Sequence, residues 1–209
     1  MTDALVIVFV KNIKLGTVKT RLAKTIGDVG AFEVYSELVN ITEKATEKLE
    51  IDKRIYFSNA VVETRWKTDY KTVHSGTDLG ERMLNAFKDG FEAGYKRIVL
   101  IGSDLPDIDA IYITRGLEAL EERDVVFGPA EDGGYYLIGL SKIEECIFKN
   151  KPWSRSHLLK ETLQELHSLD IYVSTLAPLN DIDTYEDLVN SEFYRSNIKL
   201  QDKIQQLND

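Results

Sequence analysis

Four runs of this chain are apolar with no charged or amide side chain to break them: Leu5 to Val10, Ile98 to Ile101, Val125 to Phe127 and Tyr135 to Leu140. A strand with one face in water alternates apolar and polar residues, whereas a strand covered on both faces does not need to. Helical periodicity returns between these runs. Phe32, Tyr35, Leu38, Val39, Thr42, Ala45 and Leu49 recur at three- and four-residue steps, predicting a helix of about 20 residues with one buried stripe. Leu79, Met83, Phe87 and Phe91 mark a second helix, and Asp109 can cap a third over Ala110 to Glu121. Ser154 or Ser156 is expected to start a fourth that runs through His167, and T-Y-E-D-L-V to open a late one. Further strands are predicted at Arg54 to Phe57, over 98–103 and at I-Y-V-S-T-L-A, with no element assigned to the polar stretch around Trp66. The turn E-D-G-G, Glu131 to Gly134, leads straight into Y-Y-L-I-G-L and predicts an antiparallel hairpin.

The expectation is an α/β fold: one domain over residues 1–195, a three-layer α/β/α sandwich with a mostly parallel sheet and one antiparallel hairpin. Residues 196–209 read as a polar C-terminal tail, mobile or a loosely attached helix. No apolar run approaches the ~20 residues of a membrane span. The start M-T-D-A-L-V-I-V-F-V lacks a basic n-region and a small-residue cleavage site, so a cytoplasmic location is expected. The one cysteine, Cys146, sits in the helical pattern K-I-E-E-C-I-F and is assigned to the core. His74, His157 and His167 have no zinc-binding spacing, so any metal should be held by oxygen.

A formal net charge of -9 excludes a general nucleic-acid surface, which needs clustered Lys and Arg. One basic cluster stands against this acidity, Lys11 to Lys24, and a nucleotide suits it better than DNA or RNA. Within it, G-T-V-K-T-R is neither a Walker loop nor G-x-G-x-x-G. Gly16 permits a tight turn, and Lys19 and Arg21 beside a helix start suit a diphosphate clamp; a solvated basic helix face is the alternative.

The run from Ile98 finishes on G-S-D-L-P-D. Ligands of open α/β sheets bind beyond the carboxyl ends of the strands, which makes Asp104 a candidate metal ligand; with Pro106 it equally suits a turn. Asp181 and Asp183 in N-D-I-D-T-Y-E-D-L either join Asp104 around magnesium or manganese, which take a few carboxylates plus water and phosphate, or serve the late helix as caps and dipole partners, with Thr184 or Asp183 as the N-cap. Asp132 suits the hairpin turn, while the glycines beside it allow a ligand close to the backbone.

In this order, G-T-V-K-T-R-L, S-G-T-D-L-G-E-R-M, L-I-G-S-D-L-P, G-P-A-E-D-G-G-Y-Y-L-I-G-L, P-W-S and D-I-D-T-Y-E-D-L resemble the DUF2064 family, also called radical-SAM-associated transferase 1 and commonly labelled glycosyltransferase. The resemblance spans residues 4 to 190 and implies a GT-A-like, nucleotide-diphospho-sugar transferase fold. It also implies that Gly16, Lys19 and Arg21 form the phosphate loop and that Gly76, Asp78, Leu79 and Gly80 lie near the nucleobase. Asp104 and the late Asp183, with Asp181, would hold the metal. Asp132, Gly133, Gly134 and Trp153 would lie on the acceptor or sugar side. Asp104-Leu105-Pro106 departs from the D-x-D of glycosyltransferases, and the nucleotidyltransferase signature L-x-G-G-x-G-x-R is missing.

Three readings follow. The first is metal-dependent glycosyl transfer from a nucleotide-diphospho-sugar to a small acceptor, with Lys19 or Arg21 assisting the leaving diphosphate and Asp132 as base if the reaction inverts. The second is nucleotidyl transfer from an NTP with release of pyrophosphate. The third is a nucleotide-binding module without turnover. Acceptor, base, sugar and oligomeric state are not encoded in any motif.

Overall fold

A computed structural model of the chain describes residues 2–208. Seven strands form one sheet: β1 (Ala4–Val10), β2 (Asp52–Phe57), β3 (Tyr70–Val73), β4 (Arg97–Ile101), β5 (Val125–Pro129), β6 (Tyr135–Leu140) and β7 (Val173–Thr175). Their order is β3-β2-β1-β4-β6-β5-β7, and every neighbouring pair is parallel except that β6 runs antiparallel to β4 and β5. The hairpin expected at Glu131 to Gly134 joins β5 to β6 and is the source of that reversal.

Both faces of the sheet are covered, which is why its central strands are apolar throughout. Val6, Val8, Val99 and Ile101 pack with Tyr35 and Val39 of α1 (Thr20–Glu47) and with Ile113 and Leu117 of α3 (Ala110–Ala119). Leu5, Ile7, Ile98 and Leu100 point the other way, onto Met83 and Phe87 of α2 (Leu79–Glu92) and Leu159 and Leu166 of α4 (Leu158–Ser168). Successive side chains of a strand face opposite sides, so two apolar layers require every position to be apolar.

The structure departs from the sequence-based expectation in five places. The stretch around Trp66 contains β3, an edge strand paired parallel to β2; its edge position asks for no apolar run. Trp66 itself is fully buried, its indole N–H donating to Thr46 Oγ1 at 2.8 Å. Helix α1 is longer than the predicted stripe and is interrupted at Gly27 (φ 73°, ψ 165°). Neither Ser154 nor Ser156 caps α4; Leu159 N–H donates instead to the Gly133 carbonyl at 3.0 Å, so the hairpin supplies the acceptor. Strand β4 stops at Ile101, leaving Gly102 to Asp104 in the loop beyond it.

The fifth departure is how firmly the tail is attached: a helix is one of its two expected forms, but not one with buried side chains. After α5 (Tyr185–Asn190) and α6 (Glu192–Ser196), residues Ile198–Asn208 form α7, which buries Leu200 and Ile204 against Leu22, Ile26, Val34 and Leu38 of α1. Leu200 and Ile204, one helical turn apart, give an otherwise polar segment a narrow apolar stripe. Lys203 adds an ion pair to Glu33 of α1 at 2.7 Å. Among the described residues no helix is long and apolar enough to cross a membrane.

Candidate active site

A crevice of about 420 Å³ opens at the carboxyl ends of the strands. Phe9 and Val10 end β1, Ser58 follows β2, His74 follows β3 and Gly102 to Asp104 follow β4. Ala130, Asp132, Gly134 and Tyr135 of the hairpin close the far side, and Trp153, Ser154 and Arg155 overhang it. Another cavity, of about 480 Å³, lies among Leu49, Asp52, Lys53, Asp69 and Tyr95, at the start of β2, and receives none of the expected site residues.

The acidic groups converge on one lysine. Lys19 precedes α1 in a left-handed conformation (φ 47°), and its side chain is only 4% exposed. Its Nζ lies 3.1 Å from Asp104 Oδ2 and 3.6 Å from Asp183 Oδ1, while Arg21 Nη1 donates to Asp183 Oδ2 at 3.0 Å. Burial works to lower the Lys19 pKa, but Asp104, Asp183 and Asp181 outweigh it and hold the ammonium above its ordinary value. Burial likewise works to raise Asp104, and Lys19, with help from Lys11, turns the balance and keeps that carboxyl below its ordinary value. At Asp181 burial, reinforced by the charge of Asp104, outweighs the pull of Lys19 and pushes the carboxyl up to about 6.

Capping of the late helix does not consume these aspartates. Thr184 is the N-cap of α5 and forms a reciprocal capping box with Asp187, whose Oδ2 also accepts the N–H of Asp183 at 3.1 Å. Ile182 N–H donates to the Asp104 carbonyl at 3.3 Å, tying the two acidic loops together. No three His, Cys, Asp or Glu side chains among the described residues form a ready cation cage. The donor set is nevertheless all oxygen, and Asp181 and Asp104 both line the crevice, which fits a cation that completes its shell with phosphate and water.

The other residues singled out in the sequence divide between ligand wall and scaffold. Leu79 and Trp153 line the crevice. Asp78 caps α2 by accepting Glu81 N–H at 2.8 Å. Gly80 is buried beneath the Phe148 carbonyl and the Trp153 ring, where a Cβ would stand 2.1 and 2.7 Å away. Gly76 gives its carbonyl to Arg82 Nε at 3.0 Å, and Gly16, at φ +75°, turns the loop ahead of Lys19. Asp132 Oδ1 accepts Gly134 N–H at 2.8 Å while the residue stays exposed at the crevice edge. Gly133, at φ +89°, faces the Ser156 carbonyl so closely that a Cβ would come within 1.8 Å.

Several crevice residues were not among the expected site residues. The Tyr35 hydroxyl bonds Ser103 Oγ at 2.9 Å, accepts Lys11 N–H at 3.0 Å and lies 3.3 Å from the Lys11 carbonyl; burial pushes it up to about 12. His74 lies over Phe9 with ring centroids 5.4 Å apart, and burial, then the charge of Arg82, lowers its pKa. Tyr135 lines the crevice too, yet its hydroxyl is buried with no hydrogen-bond partner among the described residues.

The family model DUF2064, described as an uncharacterized protein conserved in bacteria, matches residues 43–155. The fold is similar to that of a provisionally named nucleotide-diphospho-sugar transferase from Desulfovibrio desulfuricans, with 29% identity, a TM-score of 0.85 and 99% of each chain covered. It is also similar to the inositol-1-phosphate CTP transferase from T. maritima, at 15% identity and TM-score 0.55, with 98% of this chain and 96% of that one covered. A manganese complex of a Mycobacterium tuberculosis protein, Rv0371C, aligns at 16% identity and TM-score 0.52 over 95% of this chain and 99% of that one. No curated protein matches the sequence.

Proposed function

The chain belongs to the bacterial family DUF2064, and from that premise we propose that it is a divalent-cation-dependent transferase acting on a nucleotide-activated substrate, with glycosyl transfer from a nucleotide-diphospho-sugar to a small acceptor as its reaction. The observation that carries the reading is the convergence of Asp104, Asp181 and Asp183 with Lys19 beside a crevice at the carboxyl ends of the strands. Asp104 and Asp181 would hold the cation. It would supply charge neutralisation for the departing diphosphate.

Lys19, locked between two carboxylates, holds Asp104 in its ionised form and sets its position. Arg21, two-thirds exposed, is free to swing from Asp183 toward phosphate. Asp132 is the base for an inverting transfer: Gly134 N–H anchors Oδ1, and the carboxylate stands at the crevice edge where an acceptor hydroxyl would arrive. Nucleotidyl transfer is the second reading, favoured by Asp104-Leu105-Pro106 in place of D-x-D. In that case Asp132 orients the acceptor.

The test is thermal unfolding of the parent and of Asp104→Ala with NTPs, NDPs and NDP-sugars, with and without magnesium or manganese. Ligand at about 100 times Kd adds about 2.7 kcal/mol of stability, and that gain should vanish in Asp104→Ala only where it depends on the metal. Stabilisation by NDP-sugars supports glycosyl transfer, and pyrophosphate release from an NTP supports the second reading. A parent that no nucleotide stabilises overturns both.

A further inference from the structure

The two cations named in the sequence as a phosphate clamp, Lys19 and Arg21, already face aspartates. The crevice has other cations. Arg82, on the first turn of α2, and Arg155, in the loop before α4, both line it, and neither has a carboxylate within ion-pair distance among the described residues. Arg82 is half-buried, and its Nε is fixed by the Gly76 carbonyl at 3.0 Å, which leaves the rest of the guanidinium unpaired. Its charge is felt by His74, another lining residue.

The packing also brings together the two segments that carry these arginines. Trp153, two residues before Arg155, lies against Gly80, two residues before Arg82, and only a glycine fits there because a Cβ would stand 2.7 Å from the indole ring. The crevice therefore carries both charges: Asp104, Asp132 and Asp181 line it together with Arg82 and Arg155, which stand among Leu79, Met83, Trp153 and Leu158. An unpaired guanidinium in a partly desolvated wall is a strong receptor for a planar or tetrahedral oxyanion.

We propose that Arg82 and Arg155 form an anion subsite for the second substrate, which is thereby an acceptor carrying a phosphate monoester or a carboxylate on a small, partly apolar body. This rests on the transferase reading above and deepens it. The acceptor's anion would be held by the two arginines, leaving its nucleophilic end to reach the crevice carboxylates. Phosphate and carboxylate share the chemistry that the arginines read, and the nucleotide's own phosphates are the competing source.

Isothermal titration of the parent, Arg82→Gln, Arg82→Lys, Arg155→Gln and the double glutamine variant separates these sources, with glucose 1-phosphate, glucuronate and CTP or UTP as probes. The expected result is a loss of about tenfold to a hundredfold in affinity for one of the two sugar anions in each glutamine variant, with nucleotide affinity changed less than about threefold. Arg82→Lys should recover only part of it, because a point charge replaces a fork. Arg155 is exposed, so its variant reports on binding without a folding defect. Equal losses for nucleotide and sugar anion would assign the pair to the nucleotide and overturn the proposal. So would a parent that binds neither sugar anion, or glutamine variants that bind them as the parent does. A parent that binds a sugar anion through these arginines but no nucleotide would overturn the transferase reading and leave the anion subsite standing.

Discussion

Two tyrosines at the crevice make opposite claims at the scale of single residues. The Tyr35 hydroxyl joins Ser103 and the backbone of Lys11, whereas that of Tyr135 is buried without a partner. Tyr35→Phe should lower stability in urea unfolding by about 1–2 kcal/mol, because Lys11 N–H and Ser103 lose their shared partner. Tyr135→Phe should be neutral or slightly stabilising, since no bond is lost and a polar atom leaves the interior. A loss at Tyr135 equal to that at Tyr35 would show that its hydroxyl has a partner. The charge of Lys19 and Arg21 was legible in G-T-V-K-T-R, but their partners were not: Asp104 and Asp183 lie 85 and 162 residues further along the chain.

At the scale of elements, α1 serves two layers. One side of it packs on the sheet through Tyr35 and Val39, and the other receives α7 through Leu22, Ile26 and Leu38. The apolar stripe of the first side was readable as a three- and four-residue repeat. The second was hidden because Leu200 and Ile204 are only two apolar positions in a polar segment, and a stripe that narrow gains meaning only from the surface it meets. Leu200 is 4% exposed, so Leu200→Ala should cost about 2 kcal/mol, the lower end for a buried leucine because the site lies at the edge of the molecule and can partly collapse. The check is the midpoint of chemical unfolding. An unchanged midpoint would mean that α7 detaches before the domain unfolds.

At the scale of the whole molecule, a chain of net charge -9 gathers carboxylates from the β4, hairpin and α5 loops around one crevice. The consequence falls on Asp181, pushed up to about 6 by burial and then by Asp104. Its folded pKa lies above the ordinary value of about 3.9, so the folded state binds the extra proton and stability falls as pH rises between those two values. Asp181→Asn removes that penalty. The variant should melt higher than the parent at pH 8, and the difference should disappear below about pH 4, where the carboxyl is protonated in both states. Equal melting temperatures at pH 8 would show that Asp181 is not held in an unfavourable charged state.

From the sequence alone came the sheet with two covered faces, the alternation of strands and helices, the reversal at Glu131 to Gly134 and the position of Asp104 just past a buried strand. These follow from local periodicity, since side-chain direction along a strand or helix is set by the backbone itself. Tertiary structure alone decided which acids Lys19 meets, that Gly80 and Gly133 yield space to Phe148, Trp153 and Ser156, and that Arg82 and Arg155 share a crevice. Each of these is a distance between segments far apart in the chain. Ion pairing, close backbone approach and burial depend on such distances, and residue spacing carries no record of them.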